Sequence, residues 1–305
     1  CGYGLDEYSL RAAELIREKC GQPQAQVHMM TGGTSANVIA LAAFLRPYEA
    51  AICAPTGHIH VHETGALEAT GHKIVTCEAK EGKVIPQGVA EVCARHTDEH
   101  MVFPRLLYIS QPTEIGTVYS LSELKALRQV CDENGLLLFV DGARLGSALT
   151  SAECDMTLRD LAALADCFYI GGTKNGLLFG EAMVIVNPAL QANFRYMIKH
   201  NGGMMAKGRL CGVMFLAAME NDDYFAWERH ANAMADIVRT GMEKGGVPFC
   251  QRTTTNQIFA ILTPEQNETL EKDFSYEIWE KLDDGKVVVR FVTSWATSEE
   301  DARKL

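Results

Sequence analysis

The sequence runs to 305 residues, 47% of them hydrophobic and 22% charged, with a formal net charge of −11. That is enough apolar material for one large core and a smaller second one. The acidic balance, with no Lys/Arg-rich run, argues against nucleic acid as a partner, and no apolar stretch reaches the length of a membrane span.

In chain order, residues 6–20 carry Leu10, Ala13, Leu15 and Ile16 at helical spacing. A short strand is expected at 27–30, then TGGTS breaks the chain before an apolar helix at 35–45. Strands are predicted at 50–54, 73–77, 105–110, 136–141, 167–171 and 181–186. Helices are predicted between them at 87–97, 121–134 and 158–165. This alternation implies an α/β fold with a mainly parallel sheet covered on both faces. RLLYIS and LLLFVD lack polar alternation, as central strands should. After Pro188 the rhythm changes. Residues 189–244 read as mostly helical with a break at Gly203, and strands are expected at 257–262 and 286–293. The division expected is a large domain, 1–190, and a smaller C-terminal α+β domain, 191–305.

Ten cysteines, at 1, 20, 53, 77, 93, 131, 154, 167, 211 and 250, include no CxxC pair. They read as reduced, mostly buried thiols of a cytoplasmic protein rather than a disulfide framework. The chain opens on Cys1 instead of Met, so sequence upstream is expected and targeting stays open.

Five stretches carry potential chemistry. In MTGGTSANVIAL (30–41), Gly32 and Gly33 permit a tight turn, and Thr34 or Ser35 can cap the following helix, whose free N–H groups could face an anion. An ordinary capped helix would look the same. In GHIHVHE (57–63), His58, His60 and His62 would share one face of a strand, as a zinc site requires. If the stretch instead opens a helix at 62–69, they splay apart, and one imidazole could stack on an aromatic ligand. In LLLFVDGARLGSAL (136–149), Asp141 ends an apolar strand, the usual place for ligand contact in an open α/β sheet. Arg144 could grip a carboxylate with two parallel hydrogen bonds, or Asp141 could simply cap the next turn and pair locally with Arg144. In FYIGGTKNG (168–176), a strand delivers Lys174 into a glycine-rich turn. Such a lysine either reaches for water or, if desolvated, is an amine able to form a Schiff base. Thr173 beside it offers a hydroxyl to a phosphate. In VVVRFVTSWAT (287–297), Arg290 interrupts an apolar strand as an edge residue or an anion clamp. Taken together these supply what pyridoxal 5'-phosphate needs: a phosphate cup, a partner for the ring nitrogen, a reactive lysine and a carboxylate clamp.

On these blocks, with GYGLDE and GHIHVHETGALEATGHK, the whole chain resembles the threonine aldolase and β-eliminating lyase family of fold-type-I pyridoxal-phosphate enzymes. The resemblance implies an aspartate-aminotransferase-like fold. It implies cleavage of the Cα–Cβ bond of L-threonine or L-allo-threonine to glycine and acetaldehyde. It also implies site residues: Lys174 holding the cofactor covalently, Asp141 on the pyridine nitrogen, His58 stacked on the ring and active in acid–base chemistry, Gly33 and Thr34 on the phosphate, and Arg144 and Arg290 on the substrate carboxylate. It implies a homodimer or homotetramer with the site at a subunit interface.

Three positions depart from the family pattern. Glu114, in SQPTEIGT, stands where a histidine is common, and could act as a general base. In NGGMMAKG an expected arginine is missing, and Lys207 could replace it as a phosphate ligand from a neighbouring subunit. The family's N-terminal arm falls outside this stretch. Other readings use the same residues. They are a pyridoxal enzyme that eliminates at Cβ or breaks another bond, a zinc hydrolase on His58, His60 and His62, and a non-catalytic phosphate-ligand protein.

Overall fold

A computed structural model describes residues 2–305. In chain order its elements are α1 (Glu7–Cys20), β1 (Gln26–Met30), α2 (Gly33–Phe44), β2 (Glu49–Cys53), α3 (His58–Val61), β3 (Lys73–Thr76), β4 (Ala79–Lys80), β5 (Lys83–Val84), α4 (Pro86–Arg95), β6 (Phe103–Ser110), α5 (Leu121–Asn134), β7 (Leu137–Asp141), α6 (Leu145–Leu149), α7 (Leu158–Leu164), β8 (Cys167–Gly171), β9 (Glu181–Ile185), α8 (Phe194–His200), α9 (Arg209–Glu220), α10 (Asp223–Lys244), β10 (Phe249–Gln251), β11 (Gln257–Leu262), α11 (Pro264–Leu270), β12 (Glu277–Lys281), β13 (Val287–Val292) and α12 (Glu299–Lys304).

Seven strands form the central sheet in the order β1-β9-β8-β7-β6-β2-β3. Strands β3, β2, β6, β7 and β8 pair in parallel. β9 runs antiparallel to both β8 and β1. The segment between β8 and β9 is too short for a crossover, so β9 must return alongside β8. Strands β2, β7, β8 and β9 are buried at every residue. Alternate residues feed two separate cores. Leu138, Val140, Phe168 and Ile170 pack with α1, α4, α5, α7 and α9. Leu137, Phe139, Cys167 and Tyr169 pack with α2 and α8 on the other face.

A second sheet, β10-β11-β13-β12, is antiparallel. Met234, Val238 and Met242 of α10 pack on its Ile258, Ala260, Val289 and Phe291. The N-terminal half of the same helix buries Tyr224 in the first core, so α10 ties the two sheets together. Sequence periodicity misses three things. β10 and β12 are short or solvent-facing, and the β4–β5 hairpin turns on Glu81 and Gly82, both at positive φ.

Around the histidines the strand reading fails, and so does a helix opening at 62. One helical turn starts earlier, at His58, after Gly57. Its first N–H donates to the Glu114 carboxylate at 2.9 Å, which satisfies a helix-start donor. Among the described residues no helix is long and apolar enough to cross a membrane.

Candidate active site

The loops after β7 and β8 cross each other closely, and glycine allows it. A Cβ on Gly142 would lie 1.9 Å from the Tyr169 carbonyl oxygen, and one on Gly171 would lie 2.4 Å from that of Ala143. Asn175 then donates to the carbonyls of Ala143 and Gly171, both at 2.8 Å. The Gly180 N–H donates to Thr173 Oγ at 2.9 Å. The turn bearing Lys174 is thus pinned against the turn bearing Asp141.

Both turns open into a cavity of about 370 Å³ at the strand ends. Of the residues picked out from sequence, Gly33, Thr34, His58, Asp141, Thr173 and Lys174 line it. The start of α2 faces the same space. Gly32, not Thr34 or Ser35, caps that helix, which starts two residues earlier than expected and has no side-chain cap hydrogen bond; a Cβ on Gly32 would meet nothing within 4 Å. Uncapped N–H groups with open room beside them suit a phosphate. The Tyr169 hydroxyl also lines the cavity, buried and without a partner. This donor set fits pyridoxal phosphate: an anion cradle, a carboxylate and an amine, in one cleft.

Lys174 is exposed in the isolated chain, yet protein packs densely enough around its stem to matter. That burial, then the Arg144 charge, lowers its pKa, against the opposing pull of Asp141 and Glu181. Asp141 is only 3% exposed. Its Oδ2 accepts from the Tyr108 hydroxyl and from Asn37 Nδ2, and its Oδ1 accepts from the Ala143 N–H. The Ala143 bond caps the following turn, as the local reading allowed, but Asp141 makes no ion pair with Arg144.

His58 Nδ1 lies 2.8 Å from Glu63 Oε1. Burial lowers the imidazole's pKa, but the Glu63 hydrogen bond and the Asp141 and Glu63 charges outweigh it, so the net direction is up. Glu114 does not line the cavity. Its Oε1 accepts from the His58 N–H and from Ser110 Oγ at 2.5 Å, and burial raises its pKa.

Neither Arg144, at the start of α6, nor Arg290, in β13 of the second sheet, is among the residues lining this cavity. Burial and then the Arg290 charge pull Arg144 down to about 10. Beneath it Glu228, 1% exposed, is pushed up to about 8 by burial. Arg290 pairs with Glu277, and its Cζ lies 5.0 Å from the Trp279 ring centroid. The Nε atoms of both arginines are buried without partners, which leaves donors for an incoming carboxylate. Lys207 is exposed in the segment before α9 and does not reach this cavity within one chain. His60 points to solvent and His62 packs by Trp279. Among the described residues no three His, Cys, Asp or Glu side chains group as a metal site.

Five residues of the site escape the sequence reading: Asn37, Glu63, Tyr108, Tyr169 and Glu181. Each is a polar group in or beside an apolar element, and that is the signal that could have found them. Glu181 opens the otherwise apolar β9 and lines the cavity. It accepts the Gly172 N–H at 2.8 Å, and burial pushes it up to about 7.

An open α/β sheet with an anion cradle, a strand-end aspartate and a lysine in one cleft defines a pyridoxal-phosphate enzyme of fold type I. Consistent with that, an aspartate aminotransferase from Thermus thermophilus superposes with a TM-score of 0.68, covering 96% of this chain and 79% of that one at 16% identity, a likeness of fold alone. The beta-eliminating lyase family model matches residues 1–264. The low specificity L-threonine aldolase of Pseudomonas aeruginosa is 31% identical, over 99% of this chain and 87% of its own. A solved threonine aldolase from Leishmania major is 45% identical with a TM-score of 0.98, covering 100% of this chain and 89% of that one. The chain belongs to the β-eliminating lyase family and is a pyridoxal-phosphate-dependent lyase.

Proposed function

We propose that the protein cleaves the Cα–Cβ bond of L-threonine or L-allo-threonine, releasing glycine and acetaldehyde. The observation that carries this is the convergence of Lys174, Asp141, His58 and the open start of α2 on one cavity, in a chain similar along its length to threonine aldolases. When bound, pyridoxal phosphate supplies a sink for the electron pair released at Cα.

The chain's own residues do the rest. Lys174 holds the cofactor covalently, and its lowered pKa makes the amine available as a nucleophile. Asp141, fixed by Tyr108, Asn37 and the Ala143 N–H, accepts from the ring nitrogen. Gly33, Thr34 and Thr173 hold the phosphate. Arg144 and Arg290 grip the substrate carboxylate, which orients the bond to be broken. His58, which lines the cavity, would stack on the ring and take the β-hydroxyl proton at Nε2. Glu114 is committed to the His58 backbone and to Ser110 and does not line the cavity. We therefore give the base role to His58 and a supporting role to Glu114.

A second copy would complete the site. Leu178 stands 88% exposed four residues after Lys174, and Val61 at the site's edge is also exposed. Such apolar surface suits a homodimer or homotetramer, in which Lys207 reaches the neighbour's phosphate. The nine described cysteines are all free, which fits a cytoplasmic location. Product analysis with L-threonine tests the reaction. Equal amounts of glycine and acetaldehyde are expected. Formation of 2-oxobutyrate and ammonia instead would assign the chain to β-elimination.

A further inference from the structure

Glu63 is buried, with a fully covered side chain, and its one ion-pair partner among the described residues is His58. Two donors converge on its Oε1: His58 Nδ1 at 2.8 Å and Asn37 Nδ2 at 2.7 Å. Asn37 Nδ2 also donates to Asp141 Oδ2 at 3.1 Å. A continuous path therefore runs His58–Glu63–Asn37–Asp141, linking the group over the cavity to the carboxylate at its floor. Oε2 of Glu63 has no partner.

We infer that Glu63 is the positioning residue of the reaction's base, fixing the proton of His58 on Nδ1 and stabilising its imidazolium, while Asn37 ties that pair to Asp141. The inference rests on the reading of His58 as the base. An ionised carboxylate can only accept, so the Nδ1 hydrogen bond fixes the tautomer. Nε2, which has no protein partner among the described residues, is then the nitrogen with a lone pair toward the cavity. A carboxylate removed from water needs a counter-charge, and protonation of His58 supplies it. The proton that His58 accepts from a β-hydroxyl is thus stabilised by a charge already in place.

Glu63 and Asp141 favour protonation of His58, Lys174 opposes it, and His62 of the same turn stands 5.6 Å away, ring to ring. Glu114 meets only the backbone N–H of His58. Of these, Glu63 alone hydrogen-bonds the ring.

The test uses holoenzyme labelled with ¹⁵N-histidine. In the wild type, the His58 signals should show the proton on Nδ1 and a midpoint above that of a free imidazole. Glu63→Gln keeps an acceptor oxygen but removes the charge, so the midpoint should fall by about one pH unit. A base with a lowered pKa is free at lower pH, so the acid limb of kcat/KM should move down by the same amount. Glu63→Asp, which keeps the charge, should restore much of the wild-type midpoint. A midpoint unchanged in Glu63→Gln, or a wild-type proton on Nε2, overturns the inference. The wild-type tautomer decides it even if the variants fold poorly. A midpoint that falls while the acid limb stays put keeps the Glu63–His58 coupling but removes His58 as the base, and so overturns the positioning role through the failure of that reading.

Discussion

Asp141 and Lys174 hang from strands buried along their whole length, whereas Arg290 sits in a sheet whose outer strand, β12, is exposed at four of five positions. The first pair is held by backbone: crossing glycine turns and the Asn175 bridge between them. Arg290 is held by side chains, the Glu277 carboxylate and the face of Trp279. The groups proposed to hold the cofactor therefore stand at the ends of strands buried at every residue. The proposed carboxylate clamp stands on a part whose contacts a substrate can replace.

The largest expected effect lies on the side of the buried strands. Lys174→Ala should reduce turnover to background, because no other lysine of the same chain lines the cavity. Measured turnover near wild type would break the comparison at once. Stability should divide in the same way. Phe139→Ala, at a residue 1% exposed in β7, should cost about 3–5 kcal/mol in denaturant unfolding. Ile278→Ala on β12 should change stability by less than about 0.5 kcal/mol.

Function on the side of the second sheet should respond by degree. Arg290→Lys loses the planar fork and should raise KM for the amino acid about tenfold, with kcat nearly unchanged. A fall in kcat at constant KM would place Arg290 in the bond-breaking step instead.

A pH-dependent effect is expected at Glu228, on the helix that ties the two regions together. Burial raises its pKa from 4.5 to about 8, so the folded state binds the extra proton between those values. Folded stability attributable to this group is thus greatest below the unfolded value and is lost as pH rises through about 8. Glu228→Gln should flatten that slope, leaving the variant less sensitive than wild type between pH 5 and 8 in thermal melts, within about those limits.

The same contrast explains what could be read from sequence. Strands buried on both faces write continuous apolar runs, so Leu137–Asp141, Cys167–Gly171 and Glu181–Ile185 are visible without coordinates. Asp141 and Lys174 stand out because they end such runs. β12 escapes because EIWEK alternates charge and bulk at an exposed edge, and strand propensity is weakest there. The three histidines misled because HIHVH has strand alternation, while the turn at His58 is set by Gly57 and by a carboxylate 56 residues away. Glu63 and Asn37 were illegible for a similar reason. Their roles come from contacts between α2, the segment after α3 and the end of β7, which no local pattern encodes.

The central claim is that the site holds the cofactor through Lys174. It is tested most directly by reducing the reconstituted protein with borohydride and mapping the modified peptide by mass spectrometry. The account predicts one phosphopyridoxyl group per chain, on the peptide carrying Lys174. A label on another lysine such as Lys207, or no label on protein that has demonstrably bound the cofactor, would contradict it.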